Sequence, residues 1–286
     1  MMSTLDSVLA QYDKANQSSS SGPKMSQEER LKKYFAAILP KNQSSGQLRI
    51  RILPTKDGSS PFVEAYFHEI YVNGELTKLY DPSGNDNERS PLNEVYEELI
   101  STGKESDKSL ANQYKARKFY VVKVIDRDNP QDGPKFWRFK HNYKKEGVFD
   151  KIIPIYKAKG DITDADKGRD LILQLVKQKN PKGGEYVAIQ TIMYDDPAPL
   201  SEDKDQMKSW LDDELTWRDV YSKKPLEYLE AVSLGKVPKW DSALGKYVYG
   251  DSTTSNSTFG GKQINNVSTP VVDPQEQEES DDDLPF

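Results

Sequence analysis

The period of apolar and polar positions changes several times along the chain, and each change marks an element. Leu5, Val8, Leu9 and Tyr12 recur at i, i+3, i+4 and i+7, which predicts a short amphipathic helix in an N-terminal arm. The serines at 18–21 with Gly22-Pro23 then form a flexible joint. Ser26 and Glu29 are spaced as a capping box, and Leu31, Tyr34, Phe35 and Ile38 follow at helical spacing until Pro40. Residues 47–54 alternate, with Leu48, Ile50 and Ile52 on one face and Arg49 and Arg51 on the other. That is the pattern of a half-buried strand with outward guanidiniums.

Asn73-Gly74, between the strand-like runs of residues 62–80, predicts a tight hairpin. Ser90-Pro91 opens a helix through Leu92, Val95, Tyr96, Leu99 and Ile100. Strands return at residues 118–125 and 135–140. Residues 171–176 are a compact apolar strand or helix, 180–184 a turn, and 186–194 a further strand. From 201 to about 235 the pattern is helical and acidic, around Trp210, Leu211, Leu215, Leu226, Leu229 and Val232. Past Gly250, Ser, Thr, Asn and Gly predominate, which predicts a disordered linker.

Short strands between turns, with one intervening helix, predict a mainly β chain with helices (α+β). The expected form is an OB-type barrel core with helical additions and disordered ends; an irregular mixed sheet fits almost as well. The corresponding division is an arm at 1–25, a core at 26–245 with a helical C-terminal part, and a linker with an acidic tail at 246–286.

Composition narrows the chemistry. Among 286 residues there is no cysteine, which excludes disulfides, thiolate nucleophiles and Cys-based zinc sites and suits a reducing cytosol. The first residues lack the basic-then-apolar pattern of a leader, and no stretch approaches the ~20 apolar residues of a membrane span. A cytoplasmic protein without membrane contact is expected. The net charge of −6 hides a segregation: residues 271–286 hold seven acidic and no basic residues, whereas residues 111–160 hold 13 basic and 5 acidic.

Candidates for catalysis are few. His68 and His141 stand apart with no serine or carboxylate motif beside them. Gly103-Lys104 lacks the preceding glycine of a phosphate-binding loop, and Gly183-Gly184 reads as a turn. Asp195-Asp196 and Asp212-Asp213 lie in acidic stretches, where a solvated face is the commoner explanation than a metal site. No enzyme, cofactor or metal site is expected.

Candidates for binding are richer. Cations and rings interleave in residues 114–120 and 135–145. A single-stranded nucleic acid asks for both at once, because cations neutralise its phosphates and rings stack its bases for about 1–3 kcal/mol each. The candidate nucleic-acid-binding residues are Arg49, Arg51, Lys115, Arg117, Lys118, Phe119, Tyr120, Lys135, Trp137, Arg138, Lys140, Tyr143 and Lys144. Neighbours in a strand point to opposite faces, so some of these rings must be core. The last residues, Asp281, Asp282, Asp283, Leu284, Pro285 and Phe286, have the form of a docking peptide: an apolar tip behind an acidic run.

That tip looks like the terminal peptide of bacterial single-stranded DNA-binding proteins, with Leu284 where isoleucine is usual. The body resembles the single-stranded DNA-binding, helix-destabilising replication proteins of T-even-type tailed bacteriophages. The resemblance rests on residues 48–54, Pro61-Phe62, His68, Asn73-Gly74, the run 115–120, residues 136–139 and residues 149–152. It implies an OB barrel with a zinc-binding subdomain, a basic arm for cooperative binding and an acidic C-terminal region for partners. By position it implies that Arg51, Lys115, Arg117, Phe119, Tyr120, Trp137 and Arg138 line a cleft for the strand. Two departures stand out. Residues 80–93 offer no thiol although His68 remains, so a metal-free subdomain is expected. The arm lacks a basic cluster, holding only Lys14 and Lys24, so any self-association would work through Leu5, Val8, Leu9 and Tyr12.

The resulting expectation is a protein that coats single-stranded DNA during phage replication, recombination and repair in the host cytoplasm. The acidic tail would compete for the cleft and recruit replication, recombination and repair enzymes. A single-stranded RNA-binding regulator or RNA chaperone, a metal-dependent nuclease and a protein-only scaffold are the alternatives, the first sharing every ring and cation with the DNA reading.

Overall fold

The structure, a computed structural model, describes residues 26–179 and 184–249. The stripe Leu5, Val8, Leu9 and Tyr12 and the tip at 281–286 lie outside the described residues. Helix α1 (Gln27–Lys32) starts on the expected capping box, with the Glu29 amide donating to Ser26 Oγ at 3.2 Å and the Ser26 amide donating to the Glu29 carboxylate at 2.8 Å. It ends sooner than its apolar spacing predicts. Tyr34 and Phe35 form a short strand, β1 (Tyr34–Phe35), parallel to β6 (Pro134–Lys140). Tertiary packing decides the difference: Phe35 is buried with its ring edge against Trp137, centroids 5.9 Å apart.

The remaining strands of the main sheet are β2 (Ser45–Ile52), β3 (Val63–Val72), β4 (Glu75–Tyr80), β5 (Ala116–Asp126), β7 (Leu171–Lys179) and β8 (Glu185–Tyr194). Strand β5 is the spine. One edge pairs with β6; the other pairs first with β3, from Ala116 to Val121, and then with β2, from Val124 to Asp126. β2 continues to β7 and β7 to β8, while β3 and β4 branch away from β5. Among the described residues the fold is therefore mixed α/β, with an eight-stranded sheet that does not close. The expected barrel gives way to an open branched sheet, because one edge of β5 is divided between two partners.

Alternation along β5 and β6 buries both faces. Tyr120, Val122, Val124, Trp137 and Phe139 join Ile50, Ile52, Leu171 and Leu173, together with Ile152 and Ile155 of helix α5 (Val148–Lys159). α5 is the fifth helix; α2 (Pro82–Asp86), α3 (Pro91–Ser101) and α4 (Glu105–Tyr114) precede it. On the opposite face Ala65, Phe67, Phe119, Val121 and Phe136 pack under Trp217, Val220 and Tyr221. Helices α6 (Lys204–Leu211), α7 (Trp217–Val220) and α8 (Leu226–Ser233) complete the C-terminal part. A helical lobe of α3, α4 and α8 packs on the far end of the β3–β4 hairpin through Ile70, Leu79, Leu92, Leu99, Leu229 and Val232.

Described structure continues past 245, to residue 249. Strands β9 (Lys239–Asp241) and β10 (Lys246–Val248) form a hairpin whose cross-strand pair is Trp240 with Tyr247. No helix among the described residues is long and apolar enough to cross a membrane.

Candidate nucleic-acid interface

Five of the residues that sequence assigns to binding are buried. The Arg51 side chain is wholly inside, which corrects its outward reading. Its Nη1 donates to Asp170 Oδ1 at 3.1 Å, and its Nη2 donates to the carbonyls of Asp164 and Ala198 at 3.0 and 2.8 Å. Burial pulls its pKa down, with Asp170 opposing. The segments carrying Asp164, Asp170 and Ala198 cover the face of β2 that alternation left to solvent. Gly168 permits this closeness, since a Cβ there would meet the Asp164 carbonyl at 2.4 Å and Arg51 Nη2 at 2.6 Å.

Phe119, Tyr120, Trp137 and Arg138 are core because both faces of β5 and β6 are covered. Arg138 lies between rings, 4.6 Å from the centroid of Phe67 and 4.5 Å from that of Tyr221. Three further cations face carboxylates: Arg49 pairs with Asp195 at 2.9 Å, Lys118 with Glu64 at 2.5 Å and Lys135 with Asp132 at 2.8 Å.

The remaining candidates gather where β5 begins. Lys115 is exposed at the end of α4, and Arg117 follows half-buried, donating to the Asn112 carbonyl at 3.0 Å. β3 and β6 flank this point, and Lys140 reaches Glu69 across it at 2.5 Å. Beyond Lys140 the chain turns tightly: Asn142 Oδ1 accepts from the Lys144 amide at 2.7 Å, and Lys145 takes a positive φ of 63°. The turn holds Tyr143 out at 80% exposure, with His141 edge-on beside it at 4.4 Å. On β3, Tyr71 is 67% exposed near the Asn73-Gly74 turn, whose two positive φ values fit the tight hairpin expected there. Tyr71 escaped the sequence reading because it lies outside both basic-aromatic runs, whereas Lys145 closes the run at 135–145 without having been counted among the candidates.

Beside this rim is a cleft of about 370 Å³ between the β3–β4 hairpin, α1 and residues 220–228. Arg30, Lys78, Arg138 and Lys224 line it with Tyr34, Phe67, Tyr80, Tyr221 and Tyr228, and Glu75 is the sole carboxylate of that lining. Burial, with Arg30 adding to it, lowers the pKa of Lys224. Its ammonium sits 5.2 Å from the Tyr228 centroid. The wall is tied down by Arg218, which bonds Asp86 and the Tyr80 hydroxyl, by Lys223 on Glu88, and by Arg30 Nη1 on Ser222 at 2.7 Å. These residues are scattered from 30 to 228, and only the fold brings them together.

On β3, against the helical lobe, His68 is fully buried. Its Nδ1 is 2.7 Å from the Tyr114 carbonyl, and its Nε2 is 3.1 Å from Asp81 Oδ1 and 3.3 Å from Ser90 Oγ. Asn93 donates to both Asp81 oxygens at 3.2 Å. A tetrahedral zinc site asks for four good donors. Here only His68 and Asp81 are of that kind, and each already satisfies the other, so the residues do not fit one.

A scan against protein-family models finds no match to this chain, and a search of curated proteins finds none either.

Proposed function

We propose that this chain binds single-stranded nucleic acid, single-stranded DNA above all. In this reading it coats exposed strands during phage replication, recombination and repair in the host cytoplasm, and its acidic tail engages partner enzymes. The observation that carries the proposal is the rim at the start of β5. There Tyr143 stands in solvent in one turn with Lys144 and Lys145, and Tyr71 stands in solvent two residues along β3 from Glu69, the partner of Lys140; a cleft lined by four cations and one carboxylate opens at the same β3–β4 hairpin. Rings facing solvent between cations suit a strand whose bases are free to stack, and a duplex offers few such base faces. Because both faces of β5 and β6 are covered, a strand would run along the rim and the cleft rather than across a sheet face.

Binding of this kind is stoichiometric. It shifts the duplex equilibrium toward open strands by mass action, with no bond made or broken. The test is a titration of labelled oligo-dT at several salt concentrations, beside the matching duplex and a matched oligo-U. The expected result is preference for the single strand, with a log–log salt slope of about −0.7 per phosphate contacted. Equal binding of duplex, or no binding of either, overturns the proposal. Tighter binding of oligo-U moves the substrate to RNA.

A further inference from the structure

We infer that the β9–β10 hairpin is a second stacking platform for the same single strand, a deepening that rests on the function proposed above. Residues 236–249 repeat in miniature the interleaving seen in the middle of the chain. They hold Lys236, Lys239 and Lys246 against Asp241 alone, with Trp240, Tyr247 and Tyr249 among them. Of the four tryptophans, Trp137, Trp210 and Trp217 are 2%, 6% and 8% exposed, whereas Trp240 is 57% exposed. A large ring left in solvent on a three-residue strand contributes little to a core, so its exposure asks for a ligand.

The ring is held in place. Trp240 pairs across the hairpin with Tyr247, edge to face at 5.1 Å, and Tyr247 meets Tyr228 edge-on at 5.1 Å. Tyr228 lines the cleft and carries Lys224 over its ring. Tyr228, Tyr247 and Trp240 thus form a continuous line of aromatic contacts from the cleft to the hairpin. Lys236 sits 4.8 Å from the Tyr249 centroid, beside that line. The sole acid, Asp241, is occupied by the turn, accepting from the Ala243 and Leu244 amides at 2.9 and 3.1 Å.

Charge decides the occupant. Two lysines on the hairpin, Lys236 just before it and Lys224 over Tyr228 favour a polyanion, and an exposed indole favours one that also offers flat bases. A strand leaving the cleft would place a base on Trp240 and its phosphates near Lys224 and Lys236.

The experiment uses the full chain with oligo-dT of increasing length, following tryptophan emission and, separately, the anisotropy of a labelled oligonucleotide. With three tryptophans buried, quenching on binding is expected to come from Trp240 and to vanish in W240F. W240F should keep affinity within about threefold, because a ring remains. W240A should weaken binding of long oligonucleotides by about 5- to 100-fold, with an unchanged melting temperature. Wild-type binding without quenching, or W240A indistinguishable from wild type at every length, overturns the platform while leaving the rim intact. Failure of the wild type to bind any oligonucleotide overturns both. The ring-free variant and the ring-keeping variant together separate a lost stacking surface from a lost hairpin.

Discussion

Asp170 joins Arg51 to Arg127. One carboxylate oxygen accepts from Arg51 Nη1 at 3.1 Å and from Arg127 Nη2 at 2.9 Å, and the other accepts from Arg127 Nε at 2.9 Å. Arg127 Nη1 also donates to the Leu200 carbonyl at 2.7 Å. Two guanidiniums thus share one acid beneath the loops that cover β2. Removing the acid strands two cations in a dry site, so D170A should cost about 3–5 kcal/mol in urea unfolding. R51M, which removes one charge and keeps the bulk, should cost less. If D170A unfolds at the wild-type urea midpoint, the network is not holding the loops.

Gly168 gives a second check on the same region. An alanine Cβ would press on the carbonyls of Asp164 and Ile162, at 2.4 and 2.5 Å, and backbone yields less readily than a flexible side chain. G168A should lose about 1–3 kcal/mol of stability, read from the same urea curves.

Rings on the rim and rings in the core should respond differently. Y143A removes a ring that stands in solvent, so oligo-dT affinity should drop by about 1–3 kcal/mol with the melting temperature unchanged. W137A empties a packed core position and should cost about 3–5 kcal/mol of stability. Calorimetry beside the binding titration separates the two; a Y143A protein that binds like wild type removes Tyr143 from the interface.

Acid should loosen the helical lobe through Asp81. Burial pushes its carboxyl up, but the hydrogen bond and charge from His68, with the Gly84 amide, outweigh this and hold it below the ordinary carboxylate value. A carboxyl depressed in the folded state stabilises the fold at pH above its unfolded value of about 3.9. That contribution is lost as pH falls through the lower, folded value. Urea midpoints measured from about pH 6 to about pH 3 should therefore decline, and D81N should be less stable at neutral pH with a flatter acid limb. A D81N curve parallel to wild type would exclude Asp81 as a source of the slope.

Local signals were legible in the sequence. The Ser26–Glu29 capping box, the Asn73-Gly74 hairpin and the helix opening at Pro91 each depend on residues a few positions apart. What lay over an element was not legible. Alternation assigned Arg51 to the outside because residues that cover it, Asp164 to Ala198, come more than a hundred positions later. It could not show that both faces of β5 and β6 are buried, because Trp217 and Tyr221 arrive from the C-terminal part. Tyr143 and Lys144 were legible as candidates because they belong to one continuous run of rings and cations, residues 135–145. Arg30, Lys78 and Lys224 were missed because the cleft exists only once α1, the β3–β4 hairpin and residues 220–228 have met.

The divided edge of β5 also sets an order in time. The β3–β4 hairpin and the β5–β6 pair join segments close in sequence, so their loops close early and at little entropic cost. The pairing of Ile52 with Val124 must wait until β3, β4 and helices α2 to α4 between them have been looped out. Folding should thus pass from two local ribbons to one sheet in the step that seats β2 beside β5. Amides near Val124 should then exchange with solvent only when the entire molecule opens.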